Sequence, residues 1–317
     1  DADMAFDNVR RVYIRELFKN TDIAAGQTTV INTLDLNYYP AERGPYNFKV
    51  NTNRDSLLNP QENFGSIMRP INSTNFEQGN VEYIQFWMMD PYKDGQVPTT
   101  NEGKLFLNLG QISEDVLRDG RKQYENGLPE SGGIQNSTST VWGDIPISQS
   151  LIYAFDTNQG NRSVQDVGLD GLNDAGESTK FPAAFSAESD PAGDNYKFFL
   201  DATGNVLERY KNYNGLEKNS PVDLTDNNRG NSTLPDAEDI NRDNTMNTIN
   251  AYYQYNIDIK PDMVVGQNYI TDILPTTFQD PAGGPDINAK WYQFKIPIDQ
   301  GINNKKFGGI EGFTSIQ

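Results

Sequence analysis

Residues 81–89, VEYIQFWMM, constrain this chain more than any other stretch. In a β-strand, side chains alternate between two faces. Val81, Tyr83, Gln85, Trp87 and Met89 then share one face, and Glu82, Ile84, Phe86 and Met88 the other. Both faces are largely apolar. A strand of this kind has to be covered on both sides, as in a sandwich interior that lies next to more protein.

Other short runs carry the same signature. GKLFLNLG (103–110) is the expected partner of 81–89, reached through the turn DPYKDG. TTVINTLDLNYYP (28–40) alternates as a half-buried strand should and stops at Pro40. NAYYQYNIDI (250–259), MVVGQNYITDI (263–273), KWYQFKIPI (290–298) and FGGIEGFTSIQ (307–317) read as four further strands. Within 9–19, VYI suggests a strand and RELFKN a helical turn. ISEDVLRDGRKQYENG (112–127) predicts a short helix, started at Ser113 or Glu114 and stopped at Gly127. The expected fold is mainly all-β: β-sandwich or jelly-roll-like lobes with long Asp/Asn/Gly-rich loops and one or two short helices. The expected segments are a leading piece 1–27 from a barrel strand or linker, a first lobe 28–156, a loop-rich acidic insertion 157–244, and a second lobe 245–317 that is cut at its C-terminal end.

Charge and composition narrow the function. A net charge of −18 argues against nucleic acid or an anionic bilayer as partner, because phosphate would be repelled. No run approaches the roughly 20 apolar residues of a membrane helix, so the piece is not expected to span a membrane itself. The chain has no cysteine and no histidine. That excludes disulfides, thiolate metal sites, the Ser–His–Asp triad and the usual zinc sites. A carboxylate pair for glycoside hydrolysis remains chemically possible. With 44 Asp and Glu, however, some pair always looks suggestive, and no enzyme activity is expected.

Two acidic loops stand out. DVGLDGLNDAGE (166–177) places Asp166, Asp170, Gly171, Asp174 and Glu177 at positions 1, 5, 6, 9 and 12 of an EF-hand-like loop. Gly168 occupies position 3, where an oxygen ligand belongs, so the match is partial. In DAEDINRDNTMN (236–247), Asp239, Asn241 and Asp243 repeat the alternate spacing. Calcium takes six to eight oxygen ligands, and such loops can deliver them. Asp, Asn and Gly also build plain surface turns, so both readings stand. A bound calcium would be structural, pinning loops that lack a core of their own. Trp87, Trp142, Trp291, Tyr252, Tyr253 and Tyr292 are candidates to stack on sugar rings, with core packing as the alternative. Three NST triplets, at 72–74, 136–138 and 231–233, are given no function.

Several long blocks together resemble a known family. They are LDLNYYPAERGPYNF (34–48), NFGSIMRPINSTNFEQGNVEYIQFWMMDPY (63–92), GKLFLNLGQISEDVLRDGRKQYENGLP (103–129), DVGLDGLND (166–174) and LPDAEDINRDNTMNT (234–248). They resemble the SprA/Sov proteins of Bacteroidota, the gliding-motility proteins that form the outer-membrane translocon of type 9 secretion. The resemblance implies one segment of a very large β-barrel protein, a cap at the extracellular face of the pore, with the periplasmic face as the alternative. It also implies a lipid-linked shuttle protein, a plug protein and secreted cargo as partners. The closing residues, WYQFKIPI and FGGIEGFTSIQ, resemble carbohydrate-binding jelly rolls as well. In that alternative, Trp142 or Tyr292 would contact sugar.

Overall fold

The computed structural model describes residues 10–44, 46–47, 57–92, 97–123, 125, 136–147, 169–194, 203–211, 238–241, 243–278, 283–298, 304–314 and 316. The chain forms two compact units. One comprises residues 1–36, 71–111 and 250–317; the other comprises 37–70 and 112–249.

The first unit is a β-sandwich built from two three-stranded antiparallel sheets. Its strands are β1 (Val12–Tyr13), β2 (Val30–Ile31), β3 (Tyr83–Met89), β4 (Gly103–Gln111), β7 (Ala251–Ile259), β8 (Ile270–Phe278), β9 (Ile287–Pro297) and β10 (Lys305–Phe307), with a single helical turn α1 (Ile14–Leu17). One sheet has the order β10-β7-β4 and the other β3-β9-β8. Alternation selects the inner faces. Tyr253, Tyr255 and Ile257 of β7 lie with Leu105, Leu107 and Leu109 of β4. They meet Tyr292, Phe294 and Ile296 of β9 and Ile84, Phe86 and Met88 of β3 in one core. Phe86 is paired with Phe294 in register, and their rings stack with centroids 5.0 Å apart. A shared core between two sheets is the sandwich arrangement expected of a mainly β chain.

Pairing differs from the local reading. β3 pairs with β9, and β4 pairs with β7. The expected hairpin 81–110 therefore splits between the two sheets. Segments 28–156 and 245–317 share both sheets, where two separate lobes were expected. Each middle strand, β7 and β9, is apolar on its inner face over most of its length and takes a partner from the earlier segment.

Other expected strands shorten or shift. In 28–40 only Val30–Ile31 pairs, with Val12–Tyr13, while Leu34, Leu36 and Tyr38 are exposed. Residues 263–269 form turns, with Asn268 and Tyr269 at positive φ, and β8 begins only at Ile270. That strand accommodates Pro275 because it lies at a sheet edge, where a missing N–H breaks no second ladder. β10 ends at Phe307 because Gly308 and Gly309 take φ of 64° and 73°. A Cβ on Gly308 would overlap the Asn250 carbonyl oxygen. The described residues beyond it form no strand, but they still deliver Phe313 and Ile316 to the core.

An ion pair sits beside the same unit's second sheet. The Glu16 carboxylate accepts from Arg10, from Trp291 Nε1 at 2.9 Å and from Thr276 Oγ1 at 2.9 Å. The Arg10 guanidinium lies over the Phe278 ring, 3.8 Å from its centroid. Burial pushes Glu16 up, but these hydrogen bonds and the Arg10 charge outweigh it, and its pKa is lowered.

The second unit contains the hairpin β5 (Ser137–Ser139) and β6 (Asp144–Pro146), a 3₁₀ turn (Pro60–Glu62) and the helices α2 (Asp174–Lys180) and α3 (Val206–Lys211). The helix expected in 112–127 does not form among the described residues, which are turns and bends. Glu114 and Leu117 are buried there in irregular backbone.

Candidate metal centre

The centre lies in the second unit and is built around α2. Asn173 is its N-cap, accepting from the Gly176 N–H at 3.0 Å. Just before it, Asp170 Oδ1 accepts from the Leu172 N–H at 2.9 Å, and Gly171 takes a positive φ. This tight turn sends Asp170 inward while Glu177 projects inward from the helix. Past the helix, Phe181 and Phe185 are buried and the chain doubles back. Asp190 Oδ1 accepts from the N–H groups of Gly193 and Asp194, at 2.9 and 3.0 Å, closing the turn that delivers Asp194.

Asp170, Glu177 and Asp194 are 0%, 1% and 1% exposed. One carboxylate oxygen from each lies within 4.8 Å of the others. Asp174, Glu177 and Asp190 form a second such triad, so Glu177 is common to both. Ligands bound to one calcium at about 2.3–2.6 Å can be no more than about 5 Å apart, so this spacing suits a shared ion. Asp170 Oδ2 and Glu177 Oε1 are buried without a hydrogen-bond partner.

The surroundings hold these groups in place. Glu177 Oε2 accepts from the Ala192 N–H at 2.9 Å. The Tyr46 hydroxyl donates to Asp194 Oδ2 at 3.0 Å and accepts from the Leu169 N–H. The Asp144 N–H donates to the Asp170 carbonyl, and Gly143 packs so closely there that a Cβ would overlap it. Lys180 Nζ bonds Asp144 Oδ1 at 2.9 Å and the Gly143 carbonyl at 3.0 Å. Burial first, then neighbouring carboxylates, push Asp170 up to about 7 and Glu177 up to about 8. The same two causes hold Asp194 well above its usual value. Packed negative charge with little water and one nearby lysine is an environment that a cation relieves.

Of the residues expected from the first acidic loop, Asp170, Asp174 and Glu177 come together; Asp166 lies outside the described residues. The acidic cluster is therefore not built from one linear loop. Asp190 and Asp194 join from SDPAGDN (189–195), a turn motif that flanks Pro-Ala-Gly with two aspartates. That spacing was the available signal, and sequence reasoning missed it.

The second acidic loop behaves differently. Asp239 accepts from the N–H groups of Asp243 and Asn244, at 3.0 and 3.1 Å. Asn241 Oδ1 accepts from the Asp243 N–H, and Asn241 Nδ2 donates to Asp243 Oδ2. Asp243 Oδ1 takes the N–H and hydroxyl of Thr245, which lowers its pKa. These side chains serve the loop's own backbone, and no third acidic group converges on them among the described residues. Glu114 completes the loop by accepting from the N–H groups of Ile240 and Asn247.

Beside it, Glu125 and Glu238 are buried together. Glu238 Oε2 accepts from the Glu125 N–H at 2.6 Å, and Glu125 Oε2 accepts from the Leu117 N–H at 3.1 Å. Burial, then the Glu238 charge, push Glu125 up to about 11.

Among the aromatic candidates, Tyr253, Trp291 and Tyr292 are buried in the first unit, so Tyr292 cannot offer a ring face to sugar. Trp142 is half-buried.

Residues 173–317 match the family model SprA_N, described as a motility related/secretion protein. Over that stretch the chain resembles the SprA/Sov family. The matched stretch begins at the N-cap of α2 and includes Glu177, Asp190, Asp194 and strands β7 to β10. The likeness is to proteins of motility and secretion. None of the curated proteins matches the chain. No helix among the described residues is long and apolar enough to cross a membrane.

Proposed function

We propose that this chain is a non-catalytic segment of an outer-membrane protein-secretion pore, a cap at its extracellular face that shapes or gates the exit of cargo. The SprA_N match over 173–317 carries this reading. The antiparallel sandwich supports it by supplying a stiff frame with a dry aromatic core. The absence of histidine and cysteine from the sequence fits a role in conduction better than one in chemistry. A strongly acidic surface is repelled by anionic headgroups, which suits a piece held off the lipid. The rest of a large barrel, a lipid-linked shuttle protein, a plug protein and secreted cargo are the partners of this reading.

The missing cysteines make the test direct. Val141, at the tip of the β5–β6 hairpin, is 81% exposed. Val141→Cys in the full-length protein, in secreting cells, gives this segment its only thiol. A bulky membrane-impermeant maleimide should label intact cells and reduce secretion. Labelling only after the outer membrane is permeabilised would move the segment to the periplasmic face. Full labelling with unchanged secretion would remove the gating role.

A further inference from the structure

We propose that Asp170, Glu177 and Asp194, with Asp174 and Asp190 beside them, form a discontinuous calcium site that locks the α2 region of the second unit. Three fully buried carboxylates converge within 4.8 Å. On two of them, Asp170 Oδ2 and Glu177 Oε1 are buried without a donor. Their other oxygens are already committed, to the Leu172 and Ala192 N–H groups. One oxygen is held for orientation and one is left for a ligand, as in a site where a second shell positions the first.

The donor set is entirely oxygen, which selects a hard cation. Calcium accepts several carboxylates at once in irregular geometry. Magnesium keeps several waters and uses one or two carboxylates. Three carboxylates that are at most 1% exposed leave little room for such a water shell. The Tyr46 hydroxyl on Asp194 and the Asp190 carboxylate across the Gly193 and Asp194 N–H groups hold the late ligand in place. The ion would join the turn before α2, the helix itself and the turn after it, three successive pieces of backbone.

The test uses the whole chain, stripped with chelator and dialysed. Calcium alone is titrated calorimetrically, and thermal melting is recorded with and without it. The expected result is one ion per chain and a rise in Tm with millimolar calcium. Glu177→Gln and Asp194→Asn should each weaken binding by at least about tenfold, because ligand charge sets affinity. Both amides relieve like-charge repulsion, so these variants should melt no lower than the chelated wild type, which guards against simple unfolding. Asp243→Asn, in the self-satisfied loop, should bind calcium normally. Absence of calcium heat together with an unchanged Tm would overturn the site in favour of carboxyls that merely hold protons. Undiminished binding by Glu177→Gln and Asp194→Asn would place any ion elsewhere and also overturn it. Equal affinity for magnesium would overturn the assignment to calcium.

Discussion

The Asp144 N–H donates to the Asp170 carbonyl at 2.7 Å, and the residue before it, Gly143, leaves no space there for a Cβ. A two-strand hairpin thereby sets the backbone of a carboxylate that comes later in the chain. Gly143→Ala should cost about 1–3 kcal/mol of stability through overpacking. It should also weaken any calcium response by displacing Asp170. Thermal melting with and without calcium measures both effects. An unaltered Tm would mean that the hairpin does not bear on Asp170.

The Glu125–Glu238 pair predicts a pH dependence. The folded pKa of Glu125 is raised, so above pH ~4.5 the folded chain holds a proton that the unfolded chain has released. The stability contributed by this proton is complete below the unfolded pKa and is lost as pH rises toward the folded value of about 11. Stability of the second unit should therefore fall between pH 5 and 9. Glu125→Gln keeps an acceptor for the Leu117 N–H and presents a permanent donor to Glu238. Urea melts at several pH values should show a flatter profile for this variant and higher stability at pH 8.

Glu16 predicts the opposite sign. Its folded pKa is lowered, so its contribution is present above the unfolded pKa and is lost as pH falls through the folded one. Glu16→Ala removes the carboxylate paired with the buried Arg10 guanidinium and leaves Trp291 Nε1 without its acceptor. Removing one member of a buried ion pair costs about 3–5 kcal/mol. Denaturant unfolding followed by tryptophan fluorescence reports this directly, since Trp291 is one of three tryptophans.

Phe294 is fully buried and stacks on Phe86 across the β3–β9 ladder. Phe294→Ala should lower stability by about 3–5 kcal/mol. Phe106, on the exposed face of β4, serves as the control, and Phe106→Ala should shift stability by no more than about 0.5 kcal/mol. Comparable losses in the two variants would contradict the assigned inner faces.

Local pattern made four strands readable. β3, β4, β7 and β9 lie close to their expected bounds because each alternates large apolar groups over seven or more residues. Their partners were unreadable, since pairing is a property of two distant segments. The pattern at 28–40 misled because Leu34, Leu36 and Tyr38 alternate without any sheet to receive them. The 112–127 helix failed because Glu114 is drawn to the backbone of 240–247, a tie that outweighs modest helix propensity. At the site, Asp170, Asp174 and Glu177 were legible because they fall in one short stretch. Asp190 and Asp194 lie in a separate stretch, SDPAGDN, and nothing local to it says that its turn folds back onto α2. Asp239, Asn241 and Asp243 have the alternate spacing too, yet their oxygens are occupied by neighbouring N–H groups. Spacing cannot distinguish a ligand from an Asx turn; only the count of unengaged oxygens does.

The central strand of each sheet, β7 or β9, lies in the last quarter of the chain. During synthesis, β3 and β4 are therefore made long before the strands that hold them. Neither ladder can close until its distant central strand has been made, so loop-closure entropy opposes early assembly and folding is slow. Until then β3 and β4 wait as unpaired ribbons, each with a largely apolar inner face that only the later strands can cover.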